Sequence, residues 1–218
     1  MTLGAFTLSM NAVKGEFAGH DQFTSRGKIM ALADNIRLGE SAVREVKSLG
    51  VLACNKLGDR LKAAGGVDNV VGHGYDDTAG AGVDRTRDAG VRAVTIGNLR
   101  GTAEHVRNTK YGNCWEQAII AFVHLYDKGL RPLDLMQFTT AGYDHVWVGI
   151  GLHRGWQSDN LRSWGPDAVW CDPWQGDGVV FAVSDLVKGA VRNLNAIYKC
   201  NTCELVEAGM PLSLIRVD

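Results

Sequence analysis

The second half of the chain changes its hydrophobic period, and that change limits the architectures open to it. Trp115–His124 (Trp-Glu-Gln-Ala-Ile-Ile-Ala-Phe-Val-His) reads as an apolar helix, whereas Asp144–Leu152 alternates with β-branched and aromatic residues in the manner of a strand. Ala168–Trp174 is a second short apolar strand, closed by Pro173, which cannot continue a ladder. Val179–Val183 and Leu212–Val217 read as further strands, with a short helix over Ser184–Gly189 between them. A helix followed by successive short strands predicts an α+β fold with the helix packed on an antiparallel sheet.

The front of the chain reads differently. Ser25–Ile36 and Ser41–Gly50 carry apolar residues at helical spacing, with Thr24 or Ser25 and then Ser41 as caps and Gly50 as a C-terminal glycine. Residues 1–64 are expected to form a helical lead-in and residues 65–218 the main region, the two making one compact domain. Between them, the Gly- and Asp-rich stretch near 65–92 is expected to be an exposed loop, with a substrate-covering lid as the functional alternative. Its glycines match no phosphate-binding loop, because no Gly-Lys-Ser/Thr follows, and its acidic spacing misses the EF-hand pattern. Arg85–Arg107 is expected to hold a helix leading into the next turn.

That turn carries the chemistry. Tyr111-Gly112-Asn113-Cys114-Trp115 sets a cysteine at the apparent start of the apolar helix. The thiolate is the reactive form of cysteine, and the unpaired N–H groups and dipole of a helix N-terminus favour it. Those N–H groups could also hold the oxyanion of a tetrahedral intermediate. His145, near the start of its strand, is the expected general base. Asp172, ending the next strand, is the expected acceptor that orients the imidazole. Asp144 competes for that role, but adjacent strand residues point to opposite faces. The structural alternatives are a buried inert thiol at Cys114, a satisfied strand-edge histidine at His145 and a turn-capping carboxylate at Asp172.

With Gly112-Asn113-Cys114-Trp115, a strand bearing His145 and a strand ending in Asp172-Pro173, the chain resembles the papain-like and transglutaminase-like superfamily of Cys-His-Asp enzymes. Within it, the short spacing is most like that of bacterial effector cysteine proteases and glutamine deamidases. The resemblance covers residues 105–200. It implies a papain-like core, with Cys114 as nucleophile, His145 as base, Asp172 as orienting acid and no cofactor. It also implies a protein or peptide substrate, with a host target or cognate immunity protein as partner. Papain-like proteases place an oxyanion glutamine shortly before the cysteine. Here that region offers Asn108, so Asn108, Asn113 and the Cys114 backbone N–H all stand as oxyanion donors. Trp115 and Trp174, each beside a catalytic candidate, are expected to wall the cleft. Gly155–Pro166 is a candidate substrate-facing rim.

The implied reaction is hydrolysis of an amide, by peptide cleavage or by deamidation of glutamine or asparagine. A cell-wall amidase and a transglutaminase are alternatives with the same triad, and a non-catalytic binding module on the same scaffold is an alternative of another class. Lys and Arg number 23 against 24 Asp and Glu, so no global charge steers the chain to nucleic acid or an anionic membrane. No apolar run is long enough to span a bilayer, and Met1–Met10 lacks the basic region of a Sec signal. Synthesis in the cytoplasm and export by a specialised system are the expectation. Five cysteines, an odd number, argue against a disulfide framework. Cys54 is expected in the core, Cys171 to face away from the site, and Cys200-Asn-Thr-Cys203 to be a structural pair, since no second pair is present to complete a zinc site. Of the other histidines, His105 is the rival base, His124 lies too far along the helix, His153 is expected to be exposed and His73 to lie in the glycine-rich loop.

Overall fold

In the computed structural model, which describes residues 30–53, 94–138, 145–158, 160–187 and 211–218, the backbone changes type where the hydrophobic period does. Helix α1 spans Leu32–Ser48, α2 Ile96–Thr109 and α3 Cys114–Asp127. Strand β1 (Leu133–Phe138) follows, then β2 (Val146–Ile150), a 3-10 turn (Leu161–Trp164), β3 (Val169–Asp172), β4 (Val179–Ala182), the short helix α4 (Val183–Val187) and β5 (Pro211–Val217). The described residues thus form an α+β fold with one sheet in the order β4-β3-β2-β1-β5. Every neighbouring pair in that sheet is antiparallel.

Period-2 alternation sends two sets of side chains to opposite faces of the sheet. Leu133, Leu135, Val146, Val148, Ile150, Val169 and Cys171 enter one core with α1, α2 and α3. Met136, Phe138, Trp147 and Trp170 enter a second core, closed by Leu161 and Trp164 of the 3-10 turn and by Val183 and Leu186 of α4. Helix α3 is apolar nearly all round because it is enclosed all round: Ala118 to Phe122 have no exposure.

The structure departs from the sequence reading in the front helices and in the sheet. The two front helices are one: α1 runs unbroken through Gly39 and Ser41, and residues 25–29 lie outside the described residues. Gly39 is there for packing, since a Cβ on it would come within 2.9 Å of Val180 Cγ1 on β4. Ser41 caps nothing, and its Oγ hydrogen-bonds His124 Nε2 on α3 at 3.2 Å. The start of α1 is satisfied from across the molecule, where Leu32 N–H donates to Asp167 Oδ1 at 3.1 Å and Asn35 Nδ2 to the Asp167 carbonyl at 2.9 Å. Gly50 does follow the helix in left-handed conformation, φ 64°.

The remaining corrections concern the sheet. Strand β1, placed between β2 and β5, is an element the sequence reading passes over. Within the candidate rim Gly155–Pro166, Leu161 and Trp164 anchor the segment on the second core, with Trp164 buried and edge-on to Trp156 at 5.2 Å, while Gly155, Gln157 and Arg162 stay exposed. The glycine-rich stretch near 65–92, Cys54, His73, Cys200 and Cys203 lie outside the described residues.

Candidate active site

The turn before Cys114 is tied down at each of its polar groups. Lys110 ends α2 in left-handed conformation, φ 64°. Leu52 then forms a parallel bridge with Tyr111, accepting from Gly112 N–H at 3.0 Å and donating to the Lys110 carbonyl at 2.8 Å. Gly112 must lack a side chain, because a Cβ would stand 2.6 Å from Glu116 Cβ. Asn113 caps α3 in a capping box, with the Glu116 carboxylate accepting from Asn113 N–H at 2.8 Å. Gln117 Nε2 donates to the Gly112 carbonyl at 3.0 Å. Cys114 is the first residue of α3, buried to 7 % exposure in a small cluster with Ala53 and Trp174.

The candidate base and acid come from the sheet. The Phe138 N–H on the His145 carbonyl, at 3.2 Å, fixes His145 at the head of β2. The register pairing Val148 with Cys171 brings Trp147 level with Asp172, so parity places His145, Trp147 and Asp172 on one face. His145 Nε2–H donates to Asp172 Oδ2 at 2.6 Å, with both side chains buried. The other carboxylate oxygen, Oδ1, accepts from the N–H groups of Trp174 at 3.0 Å and Gln175 at 3.2 Å as the chain turns at Pro173. Trp147 lies parallel to the imidazole at a centroid distance of 6.1 Å, and Trp174 is tilted against it at 5.3 Å.

Burial alone would lower the pKa of His145. The charge and hydrogen bond of Asp172, joined by a hydrogen bond and charge from Cys114, outweigh it and raise the value to about 10. Since Nε2 is held by Asp172, Nδ1 is the ring nitrogen left for the thiol. The helix start, the strand head and the strand end thus converge on one buried Cys114–His145–Asp172 chain.

The other candidates fall elsewhere. Trp174 walls the site, but Trp115 packs with the helix-side core, correcting its expected place in the cleft. Asn108 is exposed on the last turn of α2, and the Asn113 N–H is engaged by Glu116. Cys171 faces away, its thiol toward the Gly39 carbonyl at 3.6 Å and its pKa pushed up by burial. His105, expected to face solvent, is half-buried in α2 with its Nε2 enclosed and lacking a hydrogen-bond partner. His124 is bound to Ser41, its pKa lowered by burial and by Lys128, and His153 is exposed. Asp144 lies outside the described residues.

Sequence reasoning expected Trp147 or Trp170 in the core, where both lie, but missed the stacking of Trp147 on His145 and the roles of Glu116 and Gln117. Trp147 is two residues from His145 on the same strand, so period 2 alone puts it beneath the ring. The Asn-x-x-Glu spacing from Asn113 to Glu116 is itself a capping signal. Among the described residues, no group of three His, Cys, Asp or Glu side chains could hold a metal ion, and no helix is long and apolar enough to cross a membrane. No protein-family model, curated protein or solved structure matches the chain.

Proposed function

We propose that this protein is a cysteine-dependent amide hydrolase with a papain-like catalytic core. The observation that carries the reading is the buried chain in which Asp172 holds Nε2 of His145 at 2.6 Å and Cys114 hydrogen-bonds the same imidazole. A structural cysteine or a satisfied histidine has no need of the other two partners, whereas a thiol nucleophile needs both. His145 takes the Cys114 proton, and its raised pKa favours the imidazolium so formed.

The thiolate attacks the carbonyl carbon of an amide, and the C–O π electrons move to oxygen. The backbone at the head of α3, where Cys114 begins the helix, receives that oxyanion. Collapse of the intermediate breaks the C–N bond as His145 gives its proton to the departing nitrogen, which leaves as an amine or ammonia. His145 then takes a proton from water, whose oxygen attacks the thioester, and the thiol leaves with the product acid released. Asp172 supports the imidazolium throughout and keeps the ring in one orientation.

The substrate class is a protein or peptide amide, and the enzyme is read as an effector of the cysteine protease or glutamine deamidase type. Candidate target proteins are incubated with wild type or with Cys114→Ala and compared by mass spectrometry. Wild type alone is expected to yield either cut peptides or the small mass increase that replaces NH2 by OH. Equal modification by Cys114→Ala overturns the proposal.

A further inference from the structure

We infer that Glu116 is a positioning residue for the reaction proposed above, on which this role rests: it fixes the turn that presents the Cys114 sulfur to His145. Carboxylates in the first turn of a helix ordinarily face water, but Glu116 is 1 % exposed. A buried carboxylate is costly unless hydrogen-bonded, and Glu116 spends one oxygen on a backbone group, the Asn113 N–H at 2.8 Å. Asn113 answers through its side chain on the Glu116 N–H, so the two residues flanking Cys114 and Trp115 are locked to each other.

Three further contacts make that lock rigid. Gln117 Nε2 holds the Gly112 carbonyl at 3.0 Å, and Leu52 holds the Gly112 N–H at 3.0 Å. The missing side chain of Gly112 leaves the space that the Glu116 stem fills. The backbone ahead of the nucleophile therefore has no free rotation with which to carry the sulfur away from the imidazole. The lock also selects the oxyanion donors. Because the Asn113 N–H points at Glu116, it is withdrawn from the reacting carbonyl.

The role needs an acceptor oxygen at the right reach and does not need its charge. Glu116→Gln keeps that oxygen, Glu116→Ala removes it, and Glu116→Asp draws it out of range. The reporter is the rate and pH profile of Cys114 alkylation by iodoacetamide, read residue by residue by mass spectrometry on variants whose circular dichroism matches wild type. Wild-type Cys114 is expected to label at least ~10-fold faster than free cysteine at pH 6. Glu116→Ala and Glu116→Asp are expected to label ~10-fold more slowly than wild type, with the profile shifted to higher pH. Glu116→Gln is expected to stay within ~3-fold of wild type. If Glu116→Ala does not fold, the comparison of Glu116→Asp with Glu116→Gln decides the same question. Fast labelling shared by wild type, Ala and Asp variants overturns the positioning role alone, as does a Gln variant as slow as Ala. Wild-type labelling no faster than free cysteine overturns the proposed hydrolase and this role with it.

Discussion

Asp172 accepts three hydrogen bonds while wholly buried, two from backbone and one from His145. Its replacement by asparagine tests the orienting role with little change of volume. The amide oxygen can still accept from Trp174 and Gln175, but the Nδ2 group then donates to Nε2 of His145. That places the ring proton on Nδ1, the nitrogen needed by the thiol. Asp172→Asn is therefore expected to lower kcat/KM on the identified substrate by about 10²-fold or more while leaving the circular dichroism unchanged. Gly112 makes the complementary prediction, because alanine there would drive its Cβ against Glu116. Gly112→Ala is expected to cost roughly 1–3 kcal/mol in urea unfolding and to slow Cys114 labelling. At this scale, the three side chains of the candidate site were legible because each sits at an element boundary marked by Gly-Asn, by the start of an alternating run, or by Asp-Pro. What was not legible is tertiary: nothing local says that Trp115 turns to the helix core while Trp174 turns to the sulfur.

Helix α1 and strand β1 show why elements differ in legibility. Strands β2 and β3 could be read because each is a short apolar run bounded by turn residues. Strand β1 is buried on both faces and carries Asp134 at no exposure, so its pattern neither alternates nor ends in a clear turn signal. The continuity of α1 rests on a partner far along the chain, since Gly39 is explained only by Val180 pressing against it. Two glycine substitutions with opposite expected signs follow. Gly39→Ala should destabilise by about 1–3 kcal/mol despite the better helix propensity of alanine. Gly101→Ala, on an exposed position of α2 with nothing within 4 Å, should stabilise by roughly 0.5–1 kcal/mol. Denaturant midpoints of the two variants against wild type check both, and equal signs would refute the packing account of Gly39.

Among the described residues, three buried groups hold their protons more tightly than in the open chain: the Cys171 thiol, pushed up by burial, His145 and Asp134. His145 rises from an ordinary 6.5 to about 10. Between those values the folded state keeps a proton that the unfolded chain has released, so this stabilisation is complete below pH 6.5 and is lost as pH rises toward 10. Asp134 behaves alike in a lower window. Its burial outweighs Arg216 Nη1 at 2.8 Å and raises it from 3.8 to about 6, so stability falls as pH climbs between those values. Urea midpoints against pH should separate them: Asp134→Asn is expected to flatten the lower window only, and Asp172→Asn the upper only. A lower slope untouched by Asp134→Asn would count against that burial. The layering of the site bears also on synthesis. Cys114, His145 and Asp172 enter the chain in that order, on α3, at the head of β2 and at the end of β3, and among the described residues β3 pairs with the strands that flank it in sequence. A nascent chain that exposes Cys114 has no carboxylate to hold His145 until β3 has left the ribosome and closed on β2. The Cys114–His145–Asp172 chain therefore closes only after its last member has been made, so it is a product of tertiary folding and not of the local turn around the cysteine.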